Sequence, residues 1–99
     1  MSETPDVTGD VALVSVLDVR AADPLKTQLL SMRGRPVRVD PSCVERLGGL
    51  CLQVLLSAVQ TWRSDGQSLT FINVSDALRE QWQSFGAPLN DLEAQDVTA

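Results

Sequence analysis

Hydrophobic and polar positions follow two periods along the chain. Residues 11–19 read Val-Ala-Leu-Val-Ser-Val-Leu-Asp-Val, a β-rich run that predicts a buried strand, with room for a short strand or ribbon before it. Asp23-Pro24 predicts a helix start, because Asp caps free amides and Pro in a first turn gives up no hydrogen bond. That helix carries Leu25, Leu29, Leu30 and Met32, and Gly34 stops it. Pro36 opens a short alternating strand over 37–39, Asp40-Pro41-Ser42 signals a turn, and an irregular stretch follows to Gly48-Gly49.

From Leu50 the period lengthens. Apolar residues fill 50–52, 54–56, 58, 59 and 62, and Gln53, Ser57, Gln60 and Ser64 leave only a narrow polar stripe. Such a helix is the central packing helix, and Asp65-Gly66 ends it. Residues 68–72 predict the next strand. Ser75 caps a last helix whose Leu78, Trp82 and Phe85 share one face, closed by Gly86 and Pro88, and Leu89 adds one edge-strand residue. Strand and helix alternate, which predicts an α/β domain with a mainly parallel sheet and right-handed connections, one face of it partly uncovered.

Length and charge narrow the function. Ninety-nine residues make one domain, with a core but little volume for a deep substrate cavity. The chain has no His, which removes imidazole acid–base chemistry and His-ligated metal. No apolar run approaches the ~18–20 residues of a membrane span, and the first ten residues lack the pattern of a signal peptide, so a cytoplasmic location is expected. The net charge is −5, but three acids lie in residues 1–10 and three in 90–99, with no base in either segment. Over 11–89 seven acids face eight bases. The domain is therefore placed at 11–89 between two acidic, flexible tails, and it lacks the dense basic surface of a nucleic-acid binder.

The side chains that could carry chemistry are few. Cys51 sits in the apolar helical pattern and is expected as a reduced core thiol, with Cys43 more exposed. Two thiols without His do not complete a zinc site, and a Cys43–Cys51 disulfide conflicts with a reducing compartment. Asp40 and Glu45 have no neighbouring base or nucleophile to form a catalytic pair. Arg33, Arg35, Arg38 and Arg46 are either a basic edge for an anionic partner or separately solvated. Trp62 and Trp82 fall on apolar faces, in the core or at a partner contact.

Residues 37–56, Val-Arg-Val-Asp-Pro-Ser-Cys-Val-Glu-Arg-Leu-Gly-Gly-Leu-Cys-Leu-Gln-Val-Leu-Leu, resemble the core of a STAS domain, the fold of anti-sigma-factor antagonists and of the cytoplasmic part of sulfate transporters. Asp40-Pro41-Ser42 matches the family's Asp-x-Ser strand end, and 52–56 its following helix. Val16-Leu17-Asp18-Val19 and Asp65-Gly66-Gln67-Ser68-Leu69 match the flanks, so the likeness covers about residues 11–89. It implies a STAS-like α/β fold, a small mainly parallel or mixed sheet of about four strands with three or four helices packed on it.

The resemblance also implies a non-catalytic regulatory module that binds another protein, without cofactor or metal. Phosphorylatable members carry Asp-Ser-Ser-Gly-Leu at the helix N-terminus. Laid here with Asp on Gly48, the pattern puts the phosphoacceptor on Gly49 and the next Ser on Leu50, none with a hydroxyl. Ser42 is the nearest substitute, and after Asp-Pro it also suits a turn. The two glycines fit both a tight loop-to-helix turn and a surface open to a partner's backbone. The expected contact surface is Arg46, Leu47, Gly48, Gly49, Leu50 and Gln53. Short bacterial STAS proteins encoded beside chemotaxis histidine kinases share the Cys-Leu-Gln-Val-Leu-Leu run, which implies a kinase partner. The alternatives are an anti-sigma-factor antagonist on an ATP-binding kinase and a soluble subunit of a lipid-transport ATPase complex.

Overall fold

The computed structural model describes residues 8–93. Five short strands alternate with helices: β1 (Gly9–Ala12), β2 (Val16–Leu17), α1 (Val19–Leu30), β3 (Val37–Asp40), β4 (Arg46–Leu47), α2 (Gly49–Ser64), β5 (Leu69–Phe71), α3 (Asp76–Ser84) and α4 (Asn90–Glu93). The expected α/β class with small parallel sheets holds, with the strands divided between two sheets, β1-β3-β5 and β2-β4.

Strand alternation sets the core. Val11 pairs with Val39 and Val39 with Phe71, all buried, while Asp10 and Arg38 between them face solvent and form an ion pair at 3.0 Å. The uncovered sheet face expected from the chain's size is this polar one. On the other side the valines join Leu25 and Leu29 of α1 and Leu55 and Trp62 of α2 in one cluster. Both tryptophans are core residues with satisfied indoles: Trp62 Nε1 donates to the Arg35 carbonyl at 2.7 Å and Trp82 Nε1 to that of Pro88 at 2.9 Å.

Several boundaries move from their expected places. The run 11–19 is split by a bend at Ser15 into β1 and β2, and its end enters α1. Asp18, not Asp23, caps α1: its carboxylate accepts from Arg20 N at 3.0 Å, and Pro24 lies inside the helix. Pro24 thereby removes the bond that the Arg20 carbonyl would otherwise receive. Phe85 does not share the buried face of Leu78 and Trp82; it is the C-cap of α3 and 48% exposed. Leu89 forms no strand. The chain turns into α4, whose Leu92 is buried. The described fold therefore reaches past 11–89 at both ends, and Asp10 and Asp91, assigned to the tails, pair with Arg38 and Arg63. The remaining tail positions, 1–7 and 94–99, lie outside the described residues.

Candidate functional site

The parallel pair β2-β4 feeds two helices side by side. Val16 stands opposite Arg46 and Leu17 opposite Leu47; each strand then leads into a helix, α1 after Asp18 and α2 after Gly48. Gly48 N donates to the Leu17 carbonyl at 2.8 Å, and the Cys51 thiol donates to the Asp18 carbonyl at 3.3 Å. These bonds tie the two N-termini together. They differ in one respect: Asp18 caps α1, whereas Gly48 offers α2 no side-chain cap.

The six residues expected as a contact surface divide. Leu47 is buried, so its side chain belongs to the core; its amide donates to Gln81 Oε1 at 2.7 Å. Gly48 is structural, since a Cβ there would lie 2.8 Å from the Leu17 carbonyl oxygen. Arg46, Gly49, Leu50 and Gln53 are exposed, Leu50 at 50%. A Cβ on Gly49 would meet only Phe85 Cε1, at an ordinary 3.7 Å. Leu50, Phe85 and Val19, the last 66% exposed, thus present apolar surface around the uncapped start of α2.

Sequence reasoning missed two members of this neighbourhood. Its spacing sets Phe85 on one helical face with Leu78 and Trp82, but α3 ends at Ser84 and Phe85 turns outward. Gln81 had no signal at all. Its amide clamps β4 from α3, Nε2 donating to the Glu45 carbonyl at 3.1 Å while Oε1 accepts from Leu47. β4 itself was read as irregular, being two residues long.

The other candidates are not assembled into a site. Arg33 pairs with Asp65 and Arg38 with Asp10, so the four clustered arginines do not form a common edge. Ser42 is exposed, and its amide donates to Asp40 Oδ1 at 3.0 Å, closing the expected turn. That bond, with the Ser42 hydroxyl and Asn73, holds the Asp40 carboxyl below its ordinary range. Cys43 is exposed and Cys51 buried, both free, as expected; burial and the nearby Asp18 carboxylate push the Cys51 thiol up. An open apolar groove of about 470 Å³ runs between α1 and α2, larger than the chain's length suggested.

Parallel strands joined by crossover helices define a small α/β domain with an exposed apolar rim at the start of α2. Residues 1–88 match the family described as "Mlab, STAS domain", and the chain belongs to the STAS family. Membership supports a regulatory protein-interaction module of the anti-sigma-factor antagonist type, a class of generally non-catalytic domains. No curated protein matches the chain. Among the described residues no helix is long and apolar enough to cross a membrane.

No residue from 46 to 50 carries a hydroxyl.

Proposed function

We propose that this chain is a non-catalytic cytoplasmic adaptor that docks a signalling kinase, of the chemotaxis histidine-kinase type, through Arg46, Gly49, Leu50 and Gln53 with Phe85 beside them. The pairing of Gly9–Ala12 with β3 and the burial of Leu92 support a domain that extends from Gly9 to Leu92. The observation that carries the docking face is the exposed apolar rim, Leu50 and Phe85, around a helix start that has no side-chain cap. Arg46 is of a residue type enriched among interface anchors, and Leu50 and Phe85 add exposed apolar area. The uncapped amides donate to a carboxylate or carbonyl oxygen of the partner. The absence of any hydroxyl from 46 to 50 makes docking independent of phosphorylation at this helix start, and the kinase assignment rests on the family likeness of the α2 sequence.

Gly49→Glu tests the surface, because a Cβ at Gly49 makes only an ordinary contact with Phe85 and the new carboxylate places negative charge where phosphorylatable relatives place phosphate. Titrated with a purified chemotaxis histidine kinase, the native chain binds, and Gly49→Glu binds at least about tenfold more weakly while its fold is unchanged. Equal affinities contradict the docking face. No binding of the native chain contradicts the kinase assignment.

A further inference from the structure

Four exposed positions of α1 line up as one stripe along the groove: Val19, Asp23, Lys26 and Leu30. Their spacings of four, three and four keep them on one helical face. Val19 is 66% and Leu30 51% exposed, among the most exposed large apolar side chains of the described residues. Asp23 and Lys26 are exposed and form no ion pair within the described chain. The arrangement has a symmetry. The stripe is centred on the middle of α1, so reversing the helix exchanges Val19 with Leu30 and Asp23 with Lys26.

We propose that this stripe is the interface of a homodimer, in which α1 of one copy packs antiparallel on α1 of a second. A two-fold axis through the middle of the helix sets Asp23 of each copy opposite Lys26 of its partner, and Val19 opposite Leu30. Both unpaired charges are then matched twice, and the apolar ends cover each other. No other occupant is so directly specified, because the same residues supply both halves of the complementarity, as an isologous contact requires. The groove beside the stripe gives the incoming Val19 and Leu30 an apolar bed of small and branched side chains, including Ala22, Val54 and Ala58. Antiparallel helices also set opposite dipole ends together. The groove borders the proposed kinase-docking face at Leu50 and Gln53, which both line it.

Sedimentation equilibrium of the full 99-residue chain tests the proposal, under reducing conditions because Cys43 is exposed. The native chain shows twice its 10.7 kDa mass. Lys26→Asp and Asp23→Lys each turn two attractive contacts into repulsive ones and weaken the dimer by about tenfold. The double variant Asp23→Lys/Lys26→Asp restores the pattern and returns the dimer to within about threefold of native. A native chain that stays monomeric up to about 1 mM overturns the proposal. So do single reversals that dimerise as well as native, or a double variant no better than the singles with all chains folded by circular dichroism.

Discussion

Gly48 and Gly49 are neighbours, yet an added methyl group meets opposite surroundings at the two positions. At Gly48 it strikes the Leu17 carbonyl oxygen at 2.8 Å, a backbone atom held by the β2-β4 pairing. Gly48→Ala is expected to destabilise the fold by about 1–3 kcal/mol. At Gly49 the methyl group only touches Phe85, and replacing a helical glycine narrows the unfolded ensemble. Gly49→Ala is therefore neutral or stabilising, by up to about 1 kcal/mol. Thermal unfolding separates the two, since 1 kcal/mol moves the midpoint of a domain this size by roughly 4–8 °C. The cysteines make a second residue-scale pair. Cys51 is buried and its thiol is held protonated, whereas Cys43 is exposed. Iodoacetamide labels Cys43 alone in the native chain and both thiols in denaturant, as read by mass spectrometry.

At the scale of elements, the start of α1 shows where sequence patterning misleads. Val16-Leu17-Asp18-Val19 continues the β-branched character of the preceding strand, so Asp18 looks like a strand residue and Asp23-Pro24 like the start signal. Tertiary pairing decides otherwise: β2 closes on β4 after two residues, and Asp18 is free to cap. Asp18→Ala is expected to cost about 1 kcal/mol and Asp23→Ala less than about 0.5 kcal/mol, measured by urea unfolding of dilute protein. The opposite order contradicts the observed cap. α2, β3, β5 and α3 were legible because long amphipathic or alternating patterns agree there, with Ser75 as the cap of α3. β4 and α4 were not, being two and four residues long and held by Gln81 and by burial of Leu92. Of the candidate site, the family likeness points to Arg46, Gly49, Leu50 and Gln53, and the structure leaves all four exposed. Leu47 turned inward because β4 alternates, and Phe85 turned outward because α3 ends at Ser84.

At the scale of the whole molecule, the acidic composition has a structural part. Asp65 accepts from Arg33 Nε at 2.9 Å, joining the segment after α1 to the end of α2. The Arg33 hydrogen bond and charge hold the Asp65 carboxyl low, and the Ser42 amide does the same for Asp40. A carboxyl lower in the folded than in the unfolded state takes up protons on unfolding in acid. Its contribution is complete above the ordinary carboxylate range near pH 4 and is lost as pH falls through the lower folded value. The urea midpoint should therefore drop between about pH 6 and pH 3, and by less in Asp40→Asn/Asp65→Asn. An equal drop in both chains contradicts the assignment to these two groups.

The docking face is tested most directly by capture from cells of the source organism, with the native chain and Leu50→Asp immobilised in parallel and read by mass spectrometry. Leu50 is half exposed, so the variant keeps the core intact while placing charge at the centre of the apolar rim. A signalling kinase is expected on the native chain and is absent from the variant. The same partner on both chains, or a specific partner that is not a kinase, contradicts the proposed docking.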